Sequence, residues 1–186
     1  MQLQHFQIKI FFQGPPPAME NFVPFFHKWI QESLTTELLL DVADYSHIEK
    51  GPGVLLIGHD HFYSVDTGLG KGSGFLTQQR TAAAQTGADS LRLCLKAAFR
   101  GARLVEEHLR LSFDTREMLL VVNDRLLASN TAEGFASLKQ VTDPVLKALP
   151  SYQESQHVQG DPRQRLTARL SFSAPQTIAA MLAALE

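Results

Sequence analysis

The sequence predicts an α+β fold: a mixed or mainly antiparallel sheet with helices packed on one face, making a two-layer sandwich. Three observations lead there. Period-two apolar segments and segments with apolar residues every three to four positions follow one another without the regular alternation of a parallel sheet. The 186 residues, 44% of them hydrophobic, suit one α+β domain spanning 1–186, since single cores commonly run to roughly 100–200 residues. One cysteine, Cys94, excludes an internal disulfide and a zinc ribbon built from several thiolates.

Residues Phe6–Phe12 alternate apolar and polar side chains and read as a strand. Gly14 and Pro15-Pro16-Pro17 end it, because proline cannot donate to a ladder. Between Met19 and Ser33, Phe22, Phe25, Phe26, Trp29 and Ile30 fall on one helical face, and Pro24 suits a start near Asn21. Residues 37–45, with Leu38, Leu39, Leu40 and Val42, read as a buried strand. A loop over 47–53 leads to the apolar strand 54–57. Residues 59–66 stay extended, either as that strand past a bulge or as its hairpin partner. Gly68, Gly70, Gly72 and Gly74 make a flexible connection into Phe75-Leu76-Thr77, and 82–87 reads as a loop.

Asp89 or Ser90 caps a long helix reaching residue 111, with Leu91, Leu95, Ala98, Phe99, Ala102, Val105 and Leu109 on its buried face. Residues 118–122 and 125–128 read as two strands joined by a turn at Asn123-Asp124. A helix from Asn130 or Thr131 reaches residue 149, with a break or kink at Asp143-Pro144. Residues 153–164 are polar and read as a mobile loop. Leu166, Ala168, Leu170 and Phe172 alternate as a strand, and Pro175 opens a last helix to 185. Strand, proline and apolar helix recur over 8–30 and 166–185, an echo open to either duplication or repeated turn chemistry.

Charge narrows the function classes. With 17 basic and 19 acidic side chains, net −2, the chain lacks the basic surplus of a nucleic-acid binder. Charged residues are 19%, below the roughly 25% usual for globular proteins. That leaves surface for a partner, and a homo-oligomer, a dimer first, is the expectation. The opening Met1-Gln2-Leu3-Gln4-His5 has no basic n-region, and no apolar run reaches the roughly 20 residues of a membrane span. A cytoplasmic address is expected.

His59-Asp60-His61 directly follows an apolar strand. In extended chain, residues i and i+2 share a side, so His59 and His61 can share one ion, with Tyr63 next along that face. Asp66, Asp44 and His47 are the nearest candidates to complete the shell. A divalent transition metal such as zinc, iron, nickel or manganese is the cofactor that pattern suggests. The motif resembles the strand-end cluster His-x-His-x-Asp-His of metallo-β-lactamase-fold hydrolases. Here, however, His61 is followed by Phe62-Tyr63-Ser64-Val65-Asp66, and the distant ligands have no assignable counterpart, so that activity is not carried over. The plainer reading makes both histidines half-buried strand residues.

The glycine series can cradle an anion through its backbone N–H groups, making Gly70, Lys71 and Gly72 candidate ligand contacts beside Tyr63. The order Gly70-Lys71-Gly72-Ser73 is not a P-loop ending, and a hairpin connection is the alternative. Arg92, Lys96, Arg100 and Arg103 form a basic stripe that meets a phosphate or acidic partner, or is a solvated face balanced by Glu106 and Glu107. Cys94 falls on the buried side of its helix and no Gly-x-Ser-x-Gly elbow exists, so no catalytic residue is assigned. The stripe of Phe22, Phe25, Phe26 and Trp29 belongs to the core first, then to an interface or an apolar pocket.

Asp41-Val42-Ala43-Asp44-Tyr45, then Gly51-Pro52-Gly53-Val54-Leu55-Leu56-Ile57-Gly58-His59, with the strand after Gly74, resembles bacterial conserved proteins of unassigned function. The resemblance spans the middle third of the chain and implies no reaction. The leading expectation is an oligomeric protein that binds a small molecule or a protein partner without catalysis. A metal-dependent hydrolase using His59 and His61 is the rival, and an anion-binding module over 68–74 comes third.

Overall fold

Eight strands form one sheet in the computed structural model, which describes residues 3–15, 18–49, 51–82 and 84–186. They are β1 (Phe6–Phe12), β2 (Leu39–Tyr45), β3 (Gly53–Gly58), β4 (His61–Asp66), β5 (Gly74–Gln79), β6 (Phe113–Val122), β7 (Tyr152–His157) and β8 (Thr167–Phe172). The helices are α1 (Phe22–Gln31), α2 (Gly87–Leu109), α3 (Ala132–Leu146) and α4 (Ile178–Ala183). The strand order is β2-β3-β4-β5-β1-β6-β8-β7, and each of these pairings is antiparallel. The expected α+β class is what the chain adopts. Met1 and Gln2 of the opening segment, Pro16 and Pro17 of the proline run, Lys50 and Ala83 lie outside the described residues.

Alternation decides which side chains meet the helices. Phe6, Ile8, Ile10 and Phe12 of β1 join Phe75, Val65, Leu56, Met118 and Leu170 in one core. Into it α1 sets Phe22, Phe25, Phe26 and Trp29, all buried. Trp29 meets Tyr63 edge-on with ring centres 5.5 Å apart, so the aromatic stripe is core, as its first reading had it. Helix α2 comes close to the sheet because Gly101 has no side chain: a Cβ there would stand 2.7 Å from Phe75 Cε1. Among the described residues, no helix is long and apolar enough to cross a membrane.

Several boundaries differ from the sequence reading for identifiable reasons. Helix α2 starts earlier, because Thr86 caps it: its Oγ1 accepts from the Asp89 N–H at 3.1 Å and donates to the Asp89 carboxylate at 2.6 Å. Residues 125–128 are turns instead of a strand. The Asp124 carboxylate takes the N–H groups of Leu126 and Leu127 and holds the chain in a local loop. Residues 152–157 are strand β7 instead of a loop; an edge strand with one partner, β8, can stay polar. The strand at 39–45 is the other edge and largely exposed, with Leu40 50% accessible. Pro144 lies within α3, two residues before its last residue Leu146, so the helix runs through the expected break, without a Pro144 N–H to donate, and stops soon after it. Residues 59–66 resolve as a hairpin, β4 pairing back onto β3.

On the helix-free face, the β4–β5 connection folds over the middle of the sheet and is clamped by Lys9. That side chain is fully buried. Its Nζ donates to Asp66 Oδ1 at 2.7 Å, to the Leu69 carbonyl at 2.5 Å and to the Gly72 carbonyl at 2.7 Å, using all three N–H bonds. Burial pushes the Lys9 pKa down, against the opposing hydrogen bond and charge of Asp66. Gly70 takes φ +74 over Leu119 and Phe11, a backbone conformation that suits glycine.

Candidate functional site

At the tip of the β3–β4 hairpin, on the helix side of the sheet, lies a cavity of about 530 Å³. Glu37, from the connection between α1 and β2, reaches beneath the hairpin. Its Oε2 accepts the backbone N–H groups of Asp60 and His61, both at 2.9 Å. Its Oε1 accepts the Tyr63 hydroxyl and lies 3.1 Å from His61 Nδ1. Burial raises the Glu37 pKa, but the His61 and Tyr63 hydrogen bonds, the His61 charge and the Asp60 N–H outweigh it, and the carboxyl ends below its ordinary value. Burial first, then the Glu37 charge, push the Tyr63 phenol well above its ordinary range. The pair is therefore a carboxylate and a neutral phenol.

An ionised carboxylate only accepts, so His61 Nδ1 carries the proton in that bond. In the neutral ring this leaves Nε2 as an acceptor. Nε2 is buried and has no hydrogen-bond partner among the described residues. Buried polar atoms without partners are rare enough to point to a role.

Helix α2 supplies the cationic part of the lining. Lys96, Arg100 and Arg103 face the cavity on successive turns, beside the apolar Leu93, Ala97 and Leu104. Arg103 Nε is held by Glu107 at 2.7 Å. Lys96 and Arg100 make no ion pair among the described residues. The basic stripe read from the sequence thus meets the cavity at three of its four positions.

The metal expectation is corrected. Among the described residues no group of three or more His, Cys, Asp or Glu side chains could hold an ion. The spacing argument fails because His59 lies in a hairpin turn, where neighbours two apart need not share a side. His59 is 63% exposed and bonds to Asp60 at 2.9 Å, whereas His61 is bound to Glu37. Asp66, an odd number of residues beyond His61 on β4, points to the opposite face and Lys9. A divalent transition metal and the hydrolase built on it are withdrawn.

The remaining candidates divide between the two faces. Tyr63 lines the cavity with His61. Gly70, Lys71 and Gly72 lie on the helix-free face, where the Gly72 carbonyl turns to Lys9 and Lys71 pairs with Glu117 at 3.0 Å. Glu37 escaped the sequence reading: it acts on a residue 24 positions away and belongs to no local motif.

Cys94 is fully buried, and burial pushes its thiol up to about 12. We expect a thiol–disulfide exchange reagent to label it only after denaturant is added. Rapid labelling of the native protein would contradict its place in the core.

No protein-family model matches the chain, and no curated protein matches it in sequence. What the site can do follows from its geometry.

Proposed function

We propose that the chain binds a small organic anion in the cavity beside His61. The observation that carries this reading is the joint presence, in a lining that also holds Glu37, Asp60, Glu107 and Glu186, of a carboxylate-oriented imidazole and two cations, Lys96 and Arg100, that make no ion pair among the described residues. Lys96 and Arg100 take the anionic group. Leu93, Ala97 and Leu104 cover an apolar body, and His61 Nε2 hydrogen-bonds a polar group of the ligand, accepting in the neutral ring and donating in the charged one. The cavity volume falls within the roughly 300–1,000 Å³ range of small-molecule sites. Glu37 is a positioning residue: it fixes the ring and its tautomer, as a carboxylate does behind a working histidine.

The test is a thermal-shift screen of small carboxylates and phosphates beside their neutral analogues. Anions that raise the midpoint of the native protein are expected to bind a Lys96→Ala/Arg100→Ala variant about tenfold or more weakly, the scale of lost charge-assisted hydrogen bonds. Equal binding to the variant removes the reading.

A partner reading has one observation of its own. Strand β2 is a sheet edge, and Leu38 (64%), Leu40 (50%) and Ile48 (46%) are exposed along and beside it. A second copy pairing at this edge suits the modest charge content. Sedimentation velocity over a concentration series checks it, and a monomer throughout ends it.

A further inference from the structure

A second recess, of about 580 Å³, opens where the β6–α3 and β7–β8 connections meet, and Arg125, Arg163 and Arg165 line it with Asn123, Gln164 and Thr167. Pairing of β6 with β8 and a bridge from Ser129 to Arg165 bring the two connections together. Among the described lining residues there is no carboxylate.

The way the guanidiniums are held gives the recess its character. Arg165 Nη1 donates to Gln7 Oε1 at 2.9 Å and lies 3.4 Å from Asn123 Oδ1. Arg125 Nη1 donates to the Arg163 carbonyl at 3.1 Å. These acceptors are neutral, so they aim both cations without cancelling their charge. Arg163 instead pairs with Asp161 at 2.8 Å and adds donors more than charge.

We infer that this recess is a second anion site, separate from the cavity at His61, and that it takes the phosphoryl group of a small ligand. Planar arginine forks match phosphate oxygens, and the amide and hydroxyl groups of Asn123, Gln164 and Thr167 add neutral hydrogen-bonding capacity around them. The chain's net charge of −2 and the confinement of the arginines to one corner favour a compact ligand over a nucleic-acid backbone, which needs an extended basic track.

Pyrophosphate is the probe. It is titrated into isotope-labelled full-length protein while amide and arginine side-chain signals are followed, with acetate at matched ionic strength as the control. Saturable shifts at 123–127 and 164–167 are expected with pyrophosphate alone. Arg125→Ala, a change at an exposed position, and Arg165→Lys, which keeps the charge but loses the fork, each weaken the affinity about tenfold. Shifts that never saturate, or that follow ionic strength in both titrations, overturn the site. So does saturable binding that both variants leave intact. Shifts confined to the surroundings of Lys96 and Arg100 would move the phosphate to the first cavity, removing this inference and leaving the proposed function standing.

Discussion

Replacing Asp66 by alanine is expected to lower the unfolding free energy by about 3–5 kcal/mol, the usual penalty when one partner of a buried ion pair is removed. Lys9 has no exposure to water. Without Asp66 its ammonium keeps only the carbonyls of Leu69 and Gly72, and the Leu69 N–H loses its acceptor at 2.8 Å. Chemical denaturation measures the loss, and hydrogen exchange locates it in the amides of 67–73. Asp66→Asn, which retains an acceptor oxygen, costs less. A loss under about 1 kcal/mol would mean the pair is solvated, since exposed pairs contribute on that scale.

Glu37→Gln carries the second large effect. The carboxylate receives a phenol, an imidazole N–H and two backbone N–H groups. An amide offers one acceptor oxygen and turns N–H donors toward groups that also donate. About 2–4 kcal/mol is expected to be lost at neutral pH, from buried donors left unpaired. The pH dependence has a definite sign. Glu37 is held below its ordinary value of 4.5, so its stabilisation is complete above that value and fades as pH falls through the folded pKa. The gap between native protein and variant therefore narrows in acid. Denaturation curves at neutral pH and well below 4.5 check this, and a gap that widens in acid contradicts the ionised Glu37.

Much of the fold was legible because it is written in local periodicity. The alternation over Phe6–Phe12 and the spacing of Phe22, Phe25, Phe26 and Trp29 each state which side faces the core. Segments whose structure depends on a distant neighbour were harder. Strand β7 is polar, and only its pairing with β8 makes it a strand. Residues 125–128 look apolar enough for a strand, but the Asp124 carboxylate captures their N–H groups first. The candidate site divides in the same way. Lys96, Arg100 and Arg103 were visible as a stripe on one helix, and Tyr63 and His61 as neighbours on one strand. Glu37, which orients them, joins from another connection. The His59–His61 pairing failed at one turn, because the two-residue period ends where the strand does.

Strand β1 occupies the middle of the sheet although it precedes the seven other strands in sequence: Gln7 pairs with Gln78 on one side and Val121 on the other. During synthesis this apolar segment is made before both of its neighbours and must wait for them. Its first flank arrives with β5, and the seam closes only after β6 has emerged from the ribosome. Long-range pairings of this kind slow folding and leave sticky strands uncovered meanwhile. Nascent chains arrested before β6 (Phe113–Val122) has left the ribosome are therefore expected to engage chaperones and resist compaction, and those arrested late enough to expose all of β6 to begin burying β1 on both sides.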